Sequence, residues 1–180
     1  NEGFLSRNVR VKLNNDIDCE DLEDLTTIAN NSNATFIGVF DGNHKTISNL
    51  TMTGVGLFGY VKKDGDDVGT IKDLTLSGLE LTGEEGEPVT GGIVAYLYEG
   101  AVVSNCTVAN STIACESSAY NPTVAAIAAQ MSGAIVTGCV VDNVMVKAET
   151  SYYSGSGPEG VAGGVVATAY EGTISSCVVR

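Results

Sequence analysis

The sequence predicts an all-β chain wound as a single-stranded parallel β-helix of about five coils, and three observations carry that prediction. The first is a repeat. Leu50, Leu74, Cys106, Cys139 and Cys177 occupy the same place in the similar segments ISNLTM, IKDLTL, VVSNCTV, IVTGCVV and ISSCVV, at spacings of 24, 32, 33 and 38 residues, the period of a solenoid. The second is alternation. A β-branched residue lies three positions before each anchor (Ile47, Ile71, Val103, Val136, Ile174) and an apolar one two positions after it (Met52, Leu76, Val108, Val141, Val179), as in half-buried strands on either side of a bend. The third is composition: 43% hydrophobic residues but 6% aromatics and no Trp, with 22 glycines against 3 prolines. That favours short aliphatic strands and glycine turns over helices.

The elements follow in chain order. Residues 1–35 are predicted as an N-terminal strand and capping segment, and 36–180 as the repeats, within one domain overall. Val9, Val11 and Leu13 alternate against Arg10 and Lys12, which gives a strand. Leu22, Leu25 and Ile28 then have helical spacing behind Asp16 or Asp18, which gives a turn or short helix over the first coil. Such a cap protects strand edges that would otherwise pair with any neighbour. Past each anchor the alternation continues, through Leu79 and Leu81, Ser111 and Ile113, and Val144 and Val146, so each coil holds a further strand.

A second series of segments, VGLFGYV, GGIVAYL, AAIAAQM and GGVVATA, lies between the anchors. Its small pairs, Gly91 with Gly92, Ala125 with Ala126, and Gly163 with Gly164, call for close backbone approach at a corner. Each coil thus has about three strands, taken as right-handed because parallel crossovers are. Three insertions, at 82–89, 114–122 and 147–160, fall at the same corner and are expected to stack along one edge. A fourth, KKDGDD at 62–67, belongs to another corner and projects separately. The chain stops in mid-coil at Cys177 to Arg180, which suggests continuation before cleavage or truncation, or pairing with a second chain.

Charge and motifs narrow the function classes. Nine Lys and Arg against 22 Asp and Glu give a net charge of -13, which repels phosphate backbones and anionic lipid headgroups, so no nucleic-acid partner is expected. No uninterrupted apolar stretch is long enough for a membrane span, and no membrane insertion is expected. The five cysteines make no CxxC or Cys/His pair for zinc; Cys106, Cys139 and Cys177 share a repeated inward slot with Leu50 and Leu74, and the cysteines read as stacked, reduced core residues over disulfides.

The segments FIGVFDGNHKTISNLTM, GLFGYV, GTIKDLTL, GGIVAYL and GTISSC resemble the GLUG-repeat proteins of bacterial cell surfaces. The likeness runs from about Val11 to the end. It is carried by Phe40 to Leu50, Gly56 to Gly59 and Gly69 to Leu74, with KLNNDID at Lys12 to Asp18 similar to the family's leading strand and turn. The chain departs from the pattern at His44 and Lys45, and again at Ala125 and Ala126. The resemblance implies an exported, adhesin-like protein, extracellular or on the cell surface, and no catalytic residues.

The side chains are weighed against that implication. A polysaccharide lyase needs cationic groups, and beyond Lys72 the coils offer only Lys147 and Arg180. A glycoside hydrolase needs two facing carboxylates, whereas Asp41 and Asp73, nearest the wall, stand at turns where Asp bonds its own backbone. The sole histidine, His44, reads as a solvent-facing turn residue. Asp64, Asp66 and Asp67 crowd oxygen ligands that a calcium ion would accept, but they lack a distal Glu and also read as a solvated hairpin tip; no other cofactor is expected. Asn30, Asn33, Asn49, Asn105 and Asn110 start Asn-X-Ser/Thr sequons, and Asn49 and Asn105 are read as one repeated bend position.

The stacked loops are the candidate surface. Tyr120, Tyr152 and Tyr153 supply rings, and Glu84, Glu85 and Glu116, with Glu87, Glu149 and Glu159, supply acceptors for hydroxyls. The sequence is therefore read as a non-catalytic adhesion or structural module that binds a glycan or an extracellular protein through these loops. The first alternative is a filament or surface-assembly subunit that self-associates end to end through open coils. The lesser one is a polysaccharide-active enzyme.

Overall fold

A computed structural model describes residues 9–22, 25–86, 88–118, 120–151 and 160–180. The described residues form an all-β parallel solenoid of about four turns and contain no helix. The outward appearance of each turn follows from stacking strictly equivalent segments. Phe40, Ile71, Val103, Val136 and Ile174 lie one above another in parallel register, and Ile47, Leu76, Val108, Val141 and Val179 form a second column. Both columns point inward, and Ile71, Val103, Leu76 and Val108 have no exposed surface.

Two left-handed residues per coil bend the wall. Asp73, Asn105 and Ser176 (φ 53°, 52° and 54°) occupy the first corner with Gly138, and His44 (φ 57°) takes the equivalent place below them. Asn49, Asn110 and Asn143 (φ 55°, 50° and 52°) occupy the second corner with Gly78. A positive φ crowds Cβ against the next carbonyl for most L-residues, and Asn, Asp and Gly tolerate it best. The asparagines also bond up the column: Asn105 Nδ2 donates to Asp73 Oδ1 at 3.2 Å, Asn143 Nδ2 to Asn110 Oδ1 at 3.0 Å, and Asn49 Nδ2 to Asp18 Oδ1 at 3.0 Å. Asn49 and Asn105 therefore belong to different corners, not to one repeated bend.

The same register corrects the first anchor. Lys45, not Leu50, pairs with Leu74, and Ile47 with Leu76; Thr51 pairs with Glu80, which sets Leu50 beside Leu79. The step of 24 residues thus skipped a corner, because ISNLTM and IKDLTL look alike but turn at different places. Bonded partners one coil apart give the true steps as 31, 32, 33 and 38 residues. A shift in register between Asp41 and Lys45 takes up the local difference in length. Each coil carries more short strand runs than the three expected, since a sheet of Val89–Gly91, Thr123–Ala125 and Val161–Gly163 lies beside one of Phe58–Val61, Val94–Leu97, Ala128–Met131 and Val166–Ala169.

Between those two sheets the small pairs do what the spacing requires. A Cβ added to Gly92 would stand 2.3 Å from the Ala126 carbonyl oxygen, and one on Gly91 1.9 Å from that of Val94. The core is aliphatic, with Phe36, Phe40 and Phe58 packed ring to ring at the lower end, at centroid distances of 5.2 and 5.3 Å. Ser111 replaces the aliphatic residue in the column of Leu50, Leu79 and Val144. Its hydroxyl donates to the Ala109 carbonyl at 2.6 Å and accepts from the Leu79 N–H at 3.0 Å, so its burial leaves no polar group unsatisfied.

All five cysteines are free thiols, as the repeat suggested, and Cys106, Cys139 and Cys177 stack on the first corner. The neighbouring Cys139 thiol and burial together hold the Cys106 thiol well above its ordinary range. At the N-terminal end the expected turn or short helix is a turn: Asp18 Oδ1 accepts the Glu20 N–H at 3.1 Å and the Leu22 N–H bonds the Cys19 carbonyl. Leu22 points to solvent, while Leu25 and Ile28 pack on the core. At the other end, Ile174 and Val179, inward in every lower coil, are 48% and 60% exposed.

The corner columns make a direct prediction. Asn110→Ala places a Cβ-bearing residue without a local bonding partner at φ 50° and is expected to cost about 1–2 kcal/mol, whereas Asn110→Gly costs a few tenths; urea denaturation of the two variants checks the difference.

Candidate functional site

The corner insertions are built from the wall outward. The strand Thr107–Ser117 pairs with Val140–Thr150 along almost its whole length, from Thr107 with Val140 to Ser117 with Thr150. The pairing thus runs past Ile113 into the inserted segments and holds them in register, with Cys115 and Ser117 still buried on the inner face. Beneath them, Gly83 N–H bonds the Ala114 carbonyl at 2.7 Å.

Further bonds tie loop to loop. Ser117 Oγ donates to the Glu85 carbonyl at 3.4 Å, the Ser118 hydroxyl bonds the Glu85 carboxylate, and Thr150 Oγ1 donates to the Tyr120 carbonyl at 3.0 Å. The Tyr120 N–H is itself held by Ser117 Oγ at 3.0 Å. The described parts of the three insertions are therefore bonded into one shelf. Tyr120 stands on it 54% exposed. Glu84, Glu85 and Glu116 are exposed beside it, with Glu149 directly above Glu116 and paired to Lys147 at 2.8 Å. Glu116, Glu149, Thr150, Ser151 and Gly160 border a recess of about 510 Å³. Tyr152, Tyr153 and Glu159 lie outside the described residues, as does Glu87.

The Asp-rich insertion is a two-stranded hairpin, Lys63–Asp64 against Asp67–Val68, turning at Gly65 with φ 62°. Asp64 and Asp67 face each other across it and Asp66 is at the tip. Among the described residues no three His, Cys, Asp or Glu side chains converge in a metal-binding group.

One cluster joins residues that the sequence left apart. Lys72 Nζ lies 2.7 Å from Asp41 Oδ2 and 2.9 Å from Asp73 Oδ2. Asp41 and Lys72 share an outward column, and Asp73 is the corner residue beside them. Asp41 Oδ1 also accepts the Asn43 N–H at 2.8 Å, the local turn bond expected of it. The Lys72 ammonium holds both carboxyls below the usual aspartate range, and the two carboxylates hold Lys72 above its own. A general acid needs a raised carboxyl and a general base a lowered amine; all three shifts run the other way. His44 is exposed in the adjoining turn.

Three tyrosines come together that the small pairs of the same segments do not reveal in the sequence. Tyr60 and Tyr96 are register partners facing outward from the sheet of 58–61, 94–97, 128–131 and 166–169. Their rings stack at 4.5 Å and 9°, and Tyr98 lies 6.1 Å from Tyr96 at 18°. The signal was the run Tyr96, Leu97, Tyr98, in which a buried leucine separates two outward tyrosines; Phe58 and Val94, two residues before Tyr60 and Tyr96, are buried nonetheless, so strict alternation does not extend back to them.

No protein-family profile and no curated protein matches the chain. Among solved structures, the chain is similar to the crystal structure of a "putative immunoglobulin A1 protease" from Bacteroides ovatus, with a TM-score of 0.53 and 14% identity over 99% of this chain and 71% of that one. At that identity the likeness establishes a shared β-solenoid fold.

The lysine-centred cluster predicts a pH dependence. Because the Asp41 and Asp73 pKa values are lowered on folding, their stabilisation is present above the ordinary aspartate value of about 3.9 and is lost as pH falls through the folded values. Lys72→Met is expected to flatten stability in that acid window, with a loss at neutral pH of no more than about 1 kcal/mol because the groups are partly solvated; thermal melts from pH 2 to 7 check it.

Proposed function

We propose that this chain is a non-catalytic, exported binding module of the GLUG-repeat kind, which holds a glycan or an extracellular protein on its loop shelf. The observation that carries the reading is the in-register pairing of Thr107–Ser117 with Val140–Thr150, which continues past Ile113 into the insertions. Loops held by backbone pairing lose little entropy when they bind, which favours affinity, and an exposed ring with acceptors around it suits sugar hydroxyls or a protein contact. The lowered carboxyls of Asp41 and Asp73 are not poised as general acids, nor the raised amine of Lys72 as a general base. The neighbour described as a protease does not alter this: in this chain Cys106, Cys115 and Cys139 are buried and His44 is a turn residue.

The alternative of end-to-end assembly draws on a different observation, the exposure of Ile174 and Val179 on the last coil. Both columns are core-forming below, so a coil stacked on this face would complete them.

One experiment separates the readings. The intact chain is applied to arrays of glycans and matrix proteins, with reducing-sugar and peptide release measured in parallel and sedimentation followed over a range of concentrations. Retention without turnover by a monomer is expected, with at least a tenfold loss on replacing Tyr120, Tyr152 and Tyr153 together by alanine. Unchanged retention in that variant removes the shelf as the site, and concentration-dependent growth favours assembly.

A further inference from the structure

A second surface, on another side of the solenoid, has the form of a slot. Backbone bonds from Tyr98 to Val61, from Ser132 to Leu97 and from Tyr170 to Met131 set Lys62, Tyr98, Ser132 and Tyr170 in one outward column. The adjacent outward column holds Tyr60, Tyr96, Gln130 and Thr168. The sequence marks the pattern: Tyr-Glu-Gly occurs at 98–100 and again at 170–172, two coils on, while the coil between them has Ser132 and Gly133. The larger side chains of alternate coils thus flank a coil of small ones.

The dimensions follow from the stacking. Neighbouring parallel strands are about 4.8 Å apart, so Tyr98 and Tyr170 are rooted roughly 9.6 Å apart, with the Ser132 hydroxyl between them. Tyr60 and Tyr96 stack face to face one coil apart, so their faces look along the solenoid axis, and Tyr98 lies within 18° of Tyr96. Tyr98 therefore turns a face toward the coil of Ser132. Tyr98 is 36% exposed and Tyr170 72%. Glu99 lies against Gly133, where an added Cβ would meet its Cγ at 3.3 Å, and Glu171 is the register neighbour of Gly133 on the other side. Both carboxylates are exposed at one end of the slot, and Gln130 and Thr168 line its side.

We infer that this slot binds a single pyranose unit of a neutral polysaccharide. A sugar ring presents apolar C–H faces and a girdle of hydroxyls. Two aromatic rings with room for one ring between them meet the faces, and the carboxylates, the Gln130 amide and the Ser132 and Thr168 hydroxyls meet the girdle. Charge selects the class. Glu99 and Glu171 flank Gly133, while Lys62 and Lys63 lie only on the coil beneath Tyr98 and Glu99, and the chain carries -13 overall, which repels uronic-acid polymers. A quaternary ammonium group would satisfy the rings and the acids but would leave the polar side chains of the slot's floor and side without partners, so the neutral sugar fits better.

The site is separate from the loop shelf, and its test distinguishes the two. The intact chain is run in native gels containing laminarin, mannan or arabinoxylan, with polygalacturonate as the acidic control. Retardation by at least one neutral polymer and not by polygalacturonate is expected. In a chain whose Tyr120, Tyr152 and Tyr153 are already alanine, so that the loop shelf is silent, Tyr170→Ala, at an exposed position, and Ser132→Tyr, which fills the slot, should each weaken the remaining retardation at least tenfold without lowering the melting temperature. Retardation that survives Ser132→Tyr, no retardation by any of the three neutral polymers, or competition by tetramethylammonium but not by neutral sugars would each overturn the proposal.

Discussion

The architecture depends on a left-handed residue at the same two corners of each successive coil. Where Asp73, Asn105, Gly138 and Ser176 stand above one another, the strand before and the strand after them are forced into register with their neighbours. The side-chain bonds from Asn105 to Asp73 and from Asn143 to Asn110 then connect corner to corner. Once the corners are in register, the inward columns need no individual fit. Each apolar side chain packs on the equivalent one above and below, and Leu, Cys and Val can replace one another in a column, as they do from Leu74 to Cys106 and from Leu79 to Val144. A polar residue is admitted only where it bonds locally, as Ser111 does.

Much of this was legible in the sequence because a solenoid repeats its physics. The alternation around Ile71, Leu76, Val103 and Val108 marked the inward columns, and the small pairs marked a corner that their backbones do share. The common position of three insertions marked a single shelf. What misled was local similarity. ISNLTM aligns by eye with IKDLTL, yet Asn49 and Asp73 turn the chain at different corners, and only backbone pairing tells the two αL positions apart. The spacing of Leu22, Leu25 and Ile28 fits a helix, but the Asp18 side chain closes a turn on Glu20 instead, and packing on the first coil, not periodicity, decides the rest.

The surface was harder to read than the core. An outward tyrosine has no partner visible in sequence until the coils are in register, so Tyr60 with Tyr96, and Tyr98 with Tyr170 across Ser132, emerge only from the stacking. The same holds for Lys72, whose two carboxylate partners come from a neighbouring coil and from the next residue along the chain. Register thus does for the exterior what it does for the core: it converts residues about thirty positions apart into neighbours. The loop shelf and the tyrosine slot are two products of that conversion, and both present rings and hydrogen-bonding groups on a rigid support.

The central claim is that pairing in register continues past Ile113 into the insertions, so that this part of the proposed binding surface is ordered before any ligand arrives. Native-state amide hydrogen exchange tests this most directly. The account predicts that amides of residues 112–117 and 145–150 that bond across the pair exchange slowly, within about tenfold of those at 107–109 and 140–142. Exchange of the outer amides near the rate of unstructured chain, with the wall still protected, would contradict it.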